Sequence, residues 1–456
     1  MVTDRSHFST LRLIWLCVLL QTTAVRAQNA TSAWAVGEPI FTYCTFAIPD
    51  TVRAALSTSY GWPMSFDPTA LTPAIAEQAV AGEFNLVWIN DLSQLAIAER
   101  YGLRAQYIVS GHQPQNNLFY PNSTLWPAPA DAPAIDALID RFKKSPAAYS
   151  YFIMDEPSAN RFLHLAEIVS YIRKRDPAHL AYINLFPPEE VTSDLGSASY
   201  SDYLAEYIRT VKPALLSYDS YNLFAGNDRS LFLGNMQLYA RAAAQTGIPF
   251  MTVVQGAQIG PKWRLPTPGE LRFLTNAPLA FGAQGISYFN YWSPLGPGSG
   301  GIAPNPDGTP TSVFTVLRGL GPQFKAVARR LRRLQWIGTY LKGYSAWSTP
   351  RYMTPRPADA SFDVAAVANT MSYADGAPLK GVLLGYFGSG CAQPACATQV
   401  FVQNLDYTSS KTYRVSGPGP LSVFDANAGT WTPTGHNYAD VTLEAGGGAL
   451  IGTTDD

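Results

Sequence analysis

The chain has 456 residues, 47% hydrophobic and 14% charged, enough apolar material to bury a large core in one or two domains. Its formal net charge of -1 argues against a nucleic-acid partner, which calls for a basic stripe. Aromatic residues reach 12%, which suits a large core and equally a cleft whose Trp and Tyr faces stack on sugar rings.

Residues 1–27 read as a secretion signal. Arg5 and Arg12 precede an apolar run over 13–20, and Val25-Arg26-Ala27 supplies a cleavage site. That run is too short for a stable membrane span, so the protein is expected to be secreted, extracellular or periplasmic, with no stable membrane insertion after cleavage. Cysteine usage fits export. Cys17 leaves with the signal; Cys391 and Cys396 bracket four residues and are expected to close a small disulfide loop, leaving Cys44 as a buried thiol. Asn29-Ala30-Thr31 and Asn122-Ser123-Thr124 are glycosylation sequons.

Strands are predicted over 41–47, 84–90, 104–110, 149–154, 181–186, 215–221, 249–255 and 285–292, mostly as continuous apolar runs expected of strands buried on both faces. Helical patterns alternate with them over 71–81, 93–101, 134–144, 161–175, 200–211, 230–246, 270–281 and 313–334. The last carries Lys325, Arg329, Arg330, Arg332 and Arg333, read as a solvated outer face. This alternation predicts an α/β fold, a (β/α)8 TIM barrel over 34–338. A doubly wound sheet would show a glycine-rich turn after its first strand, where the chain has Ile48-Pro49-Asp50. Beyond 338, short β-rich runs at 381–387, 399–404, 412–415, 421–424 and 441–443 alternate with Gly, Pro and Asn turns such as Asn427-Ala428-Gly429. They predict a small C-terminal antiparallel β-sandwich domain over 339–456, packed on the barrel.

In such a barrel the active site lies where strands end. The richest strand end is Tyr149-Ser150-Tyr151-Phe152-Ile153-Met154-Asp155-Glu156-Pro157, an aromatic run stopping on two acids. Carboxyls at an apolar-walled mouth are suited to proton transfer. The other strand ends offer Asp50; Trp88, Asn90 and Asp91; His112; Asn184; Tyr218, Asp219 and Tyr221; Gln255 and Gln258; and Tyr288, Asn290 and Trp292. Of these, Asp219 is a catalytic candidate, and Trp88, Asn90, Asp91, His112, Asn184, Tyr221, Gln255, Tyr288, Asn290 and Trp292 are substrate-binding candidates. This mixture of carboxylate, amide and aromatic groups suits a substrate with many hydroxyls. No metal or other cofactor is expected: the histidines at 7, 112, 164, 179 and 436 show no ligand spacing, and no phosphate loop stands out.

Asp155-Glu156-Pro157 after the fourth strand resembles the Asn-Glu-Pro of the (β/α)8 superfamily of retaining glycoside hydrolases. Arg272 with the segment 279–292 resembles the seventh helix and eighth strand of its β-galactosidase-like members. The resemblance implies that Glu156 is the general acid/base, acting on a carbohydrate substrate. The chain departs from the pattern at the end of strand seven, where Gln255 stands in place of the nucleophilic Glu. Glu270 lies further on, at a helix start, where a helix N-terminal role is expected. The second carboxylate is expected to be Asp219, in Ser217-Tyr218-Asp219-Ser220-Tyr221, which resembles the Tyr-Asp element of chitinase-like barrels. Asp155 beside Glu156 resembles the Asp-Glu pair of hexosaminidases, and Asp91 is a further option. The expected activity is hydrolysis of O-glycosidic bonds by a secreted glycosidase, with Asp155 orienting Glu156 or the substrate and Gln255 holding a sugar hydroxyl. The alternatives are a substrate-assisted hydrolase of 2-acetamido sugars and a non-catalytic glycan-binding barrel.

Overall fold

A computed structural model describes residues 37–45, 58, 69–109, 132–189, 192–229, 231–292, 300–305 and 309–453. The signal segment, both sequons, Asp50 and His112 lie outside the described residues.

Among the described residues, eight parallel strands alternate with eight main helices. They are β1 Ile40–Tyr43, α1 Pro73–Ala81, β2 Leu86–Ile89, α2 Leu95–Arg100, β3 Arg104–Ile108, α3 Ala132–Phe142, β4 Ala148–Asp155, α4 Phe162–Arg175, β5 Leu180–Asn184, α5 Tyr200–Val211, β6 Leu216–Asp219, α6 Phe232–Thr246, β7 Phe250–Gln255, α7 Pro268–Ala280, β8 Gly285–Phe289 and α8 Ser312–Leu331. The strands form two four-stranded sheets, β2-β3-β4-β5 and β1-β8-β7-β6. The sheets meet at two seams. At one, Leu185 N–H donates to the Ser217 carbonyl (2.9 Å), beside a parallel bridge between Leu185 and Tyr218. At the other, Asn85 N–H donates to the Phe41 carbonyl (3.0 Å), and Thr42 Oγ1 donates to the Leu86 carbonyl (2.7 Å).

Helix limits follow local chemistry. Thr72 caps α1 ahead of Pro73, Ser199 caps α5, and Thr311 caps α8. At α7, Thr267 and Glu270 form a reciprocal capping box, the helix-start role read from the sequence. The basic side chains of α8 and of Arg332, which caps its end, are less free than expected. Lys325 donates to the Glu83 carbonyl, Arg329 pairs with Glu38, Arg332 donates to the Gly37 carbonyl, and the Arg330 guanidinium lies 5.5 Å from the Trp431 ring centroid. They tie the helix to its neighbours.

The C-terminal part holds a six-stranded antiparallel sheet and a two-stranded one. Its strands are β9 Gln335–Lys342, β10 Val382–Gly388, β11 Gln399–Asn404, β12 Lys411–Ser416, β13 Ser422–Asp425, β14 Thr430–Pro433, β15 Tyr438–Leu443 and β16 Gly448–Gly452. β9 straddles the boundary expected at 338 and pairs with β10. Alternation divides the larger sheet's side chains. Leu383, Phe387 and Phe401 join the core beneath the helices that alternate with the parallel strands. Val382, Leu384, Tyr386, Val400 and Val402 form a second cluster with Tyr413, Val415, Val441 and Leu443 of β12 and β15. The turn 427–429 joins β13 to β14, with Gly429 at φ +70°. Cys391 and Cys396 are disulfide-bonded, and Cys44 is a buried free thiol.

The sheet approaches α7 so closely that a Cβ on Gly385 would run into the Ala280 carbonyl oxygen. Gly385→Ala is expected to cost about 1–3 kcal/mol through overpacking. Gly419→Ala, where a Cβ meets open space, serves as the control. Thermal unfolding followed by circular dichroism checks the pair; equal midpoints would contradict the close contact.

Candidate active site

The strand ends bring three carboxyl groups together. Asp155 is the last residue of β4, and a β-bulge places it. Phe152 pairs with Tyr182, but Met154 pairs with Ile183 and Asp155 with Asn184. The extra residue shifts side-chain parity, turning Asp155 to the same face as Asn184. Glu156 follows at φ +44°, a left-handed backbone costing a non-glycine residue on the order of 1–3 kcal/mol. Its N–H donates to the Asn184 carbonyl (2.9 Å), and its side chain is half-buried. Asp219 ends β6 and is buried.

Asn184 joins the two aspartates. Its Nδ2 donates to Asp155 Oδ1 (3.0 Å) and to Asp219 Oδ1 (2.9 Å). Sharing one nitrogen keeps those two oxygens within about 6 Å of each other. The amide is oriented from below. Ser217 Oγ donates to Asn184 Oδ1 (2.9 Å), which uses the single Ser217 proton. Tyr182 OH must therefore be the donor in its 2.8 Å contact with Ser217 Oγ. This relay holds the Asn184 amide protons toward the carboxylates.

Burial pushes the Asp219 carboxyl well above the usual carboxylate range, the charges of Glu156 and then Asp155 push it further, and the Asn184 hydrogen bond partly offsets both. Tyr221 is raised by burial first and then by Asp219, so its phenol stays protonated. Cys44 is raised chiefly by burial; its Sγ lies 3.1 Å from Ser287 Oγ, and it also senses Asp155 and Asp219. An aromatic wall stands beside these groups. The Tyr221 ring is 4.4 Å from Trp263 and 5.0 Å from Phe289.

Other strand-end residues have different places. Gln255 is fully buried. Its Nε2 donates to the carbonyls of Leu223 (3.1 Å) and Arg264 (2.6 Å), and its Oε1 accepts from Leu223 N–H (3.0 Å). Both amide protons are spent on loop backbone, so Gln255 is a clamp with no proton left for a sugar hydroxyl. Tyr288 points away from the mouth and contacts Thr275 Oγ1 on α7 at 2.8 Å. In β8 it is Ser287, one residue earlier, that meets Cys44. Strand alternation therefore sends Tyr288 to the core. Asp91 is exposed and caps the 3-10 turn Leu92–Gln94, with its carboxyl lowered by the Ser93 hydrogen bonds. Asn90 is held by Thr69 (2.7 Å) and Gln94 (2.7 Å). Trp88 is buried 4.9 Å from Phe152, and its indole N–H has no partner among the described residues. The Asn290 Oδ1 is also buried without a partner among the described residues, and Trp292 lies half-buried against Tyr291.

Sequence reasoning did not single out Trp263, Phe289, Tyr182 or Ser217 as site residues. Phe289 and Tyr182 lay inside predicted strands, where inward parity was the missing signal. Trp263 sits in a loop with no periodic pattern.

No protein-family model matches the chain, and no curated protein matches it. Solved structures that it resembles include an endo-β-1,4-mannanase from Thermotoga petrophila, with 9% identity, 89% of this chain and 97% of that chain covered, and a TM-score of 0.39. A β-galactosidase from Halorubrum lacusprofundi has 10% identity, 91% and 99% coverage, and a TM-score of 0.43. An Anoxybacillus α-amylase has 12% identity, 92% and 98% coverage, and a TM-score of 0.45.

Proposed function

We propose that the protein is a secreted glycoside hydrolase cleaving O-glycosidic bonds of an oligo- or polysaccharide. Its eight strands close as a (β/α)8 barrel that ends before β9, with a β-sandwich domain from β9 onward. The observation carrying this reading is the convergence of Asp155, Glu156 and Asp219, two of them bridged by Asn184 and one buried. Charge on any one of the three carboxyls disfavours charge on the others, so the resting site retains a proton among them. Glycosidic cleavage passes through an oxocarbenium-like transition state. Positive charge growing on the anomeric carbon favours ionised carboxylates beside it, so the site stabilises the transition state more than the bound substrate.

Glu156 is the acid that protonates the leaving oxygen. It stands on the loop side of the strand end and is the more exposed of Glu156 and Asp219. Asp219 is the second carboxyl, and Asp155 holds the pair in register through Asn184. Tyr221 and Trp263 offer a wall for a sugar ring. With Gln255 locked to backbone, the end of β7 supplies no nucleophile.

The test is a panel of nitrophenyl glycosides with and without 2-acetamido groups, with product anomers followed by NMR. Turnover of glycosides lacking the acetamido group is expected. Turnover restricted to 2-acetamido sugars would move the second function to the substrate. Saturable glycan binding with no turnover of any member would replace hydrolysis with the binding reading.

A further inference from the structure

The segment bearing Trp263 has little regular structure of its own. Leu223–Phe224 and Asn227–Asp228 form a small hairpin, and Trp263 pairs with Phe224 in an isolated antiparallel bridge. Ala225 N–H donates to the Lys262 carbonyl (2.7 Å), and Arg264 N–H donates to the Leu223 carbonyl (3.2 Å). Gln255 clamps both pieces at Leu223 and Arg264. The hairpin and the Trp263 segment thus behave as one flap over β6 and β7.

The Arg264 side chain anchors this flap. Its Nη1 donates to the Phe224 carbonyl (2.7 Å), its Nε to Glu270 Oε1 (3.1 Å) and its Nη2 to Asp228 Oδ1 (2.9 Å). Asp228 is buried, and its second oxygen accepts from Tyr407 OH at 2.8 Å. Tyr407 lies between β11 and β12, in the C-terminal part. Its ring packs edge-on against Phe273 of α7, 5.7 Å away. A Cβ on Gly269 would strike the Tyr407 carbonyl oxygen, so α7 and this loop are in direct contact. The C-terminal part also holds the hairpin by backbone, through Asp228 N–H to the Gly376 carbonyl (2.9 Å).

We propose that Tyr407 is a positioning residue for the site: through Asp228 and Arg264 it fixes the flap that sets Trp263 against Tyr221. The C-terminal sheets therefore help build the sugar-facing wall. The flap's role as a sugar wall rests on the hydrolase reading; the mechanical link does not.

Tyr407→Phe removes one hydroxyl and keeps the ring packing. A hydrogen bond to a charged group is among the stronger ones. Its loss is expected to speed hydrogen exchange on the order of tenfold in peptides spanning 221–229 and 259–266, with exchange in the β10–β11 ladder unchanged. For any glycoside the protein turns over, KM is expected to rise with kcat nearly unchanged, because the wall binds substrate and moves no proton. Unchanged exchange in the two peptides overturns the proposal, and so does an equal rise in both parts of the protein, which would mark a merely structural role. Should Tyr407→Phe fail to fold, Asp228→Asn probes the same link from the barrel side with the same peptides. Absence of all glycoside turnover would sink the hydrolase reading and leave the exchange result to decide the link.

Discussion

Glu156→Gln is expected to lower turnover of unactivated glycosides by about 10²–10⁴-fold, the usual worth of a positioned acid or base. The substitution keeps length, volume and the capacity to hydrogen-bond, so substrate affinity should change little. It removes only the transferable proton. Glycosides with very good leaving groups need less protonation and should lose less, so the ratio of kcat between activated and unactivated substrates is the measurement. The backbone should tolerate the change, because the strained φ of +44° and the N–H bond to the Asn184 carbonyl involve no side-chain atoms. Near-normal turnover of unactivated substrate would mean that the proton comes from another group.

Asp219→Asn should move activity and stability in opposite directions. Activity should fall by roughly 10²–10³-fold, the scale seen on losing one preorganised electrostatic group. Stability at neutral pH should rise. The folded protein raises the Asp219 carboxyl above its unfolded value, through burial and the charges of Glu156 and Asp155. Between the two pKa values the folded chain holds a proton that the unfolded chain has released. Stability contributed by this group is therefore full below the ordinary carboxylate range and declines as pH rises toward the raised value. The amide introduced by the substitution carries no charge, so the variant lacks this decline. Denaturation midpoints across pH should show the two proteins diverging above the ordinary carboxylate range, with the variant the more stable. A variant that is less stable at neutral pH, with a profile parallel to the parent, would show Asp219 to be ionised and stabilising. A gain in stability on removing a functional carboxyl is the usual trade-off at active sites.

The alternation of strands and helices was legible because burial on both faces leaves continuous apolar runs, and because caps such as Thr72-Pro73 and Thr267 with Glu270 are local chemistry. The strand-end acids Asp155, Glu156 and Asp219 were legible for the same reason: each closes an apolar run. Those runs also hide parity. In β8 nothing in the sequence distinguishes Ser287, which faces Cys44, from Tyr288, which faces α7. In β4 the parity depends on a bulge set by pairing with β5, and that bulge turns Asp155 toward Asn184.

The sequence by itself determined which segments become strands and helices, where the helices start and stop, and which carboxyls stand at strand ends. These depend on neighbours a few residues away. The tertiary structure alone decided that Gln255 would be spent on loop backbone, that Asn184 would bridge two aspartates, and that Tyr407 would reach Asp228. Each of those contacts spans between 9 and 179 residues of chain. A hydrogen bond at that separation leaves no periodic trace, because what brings its partners together is the packing of whole elements.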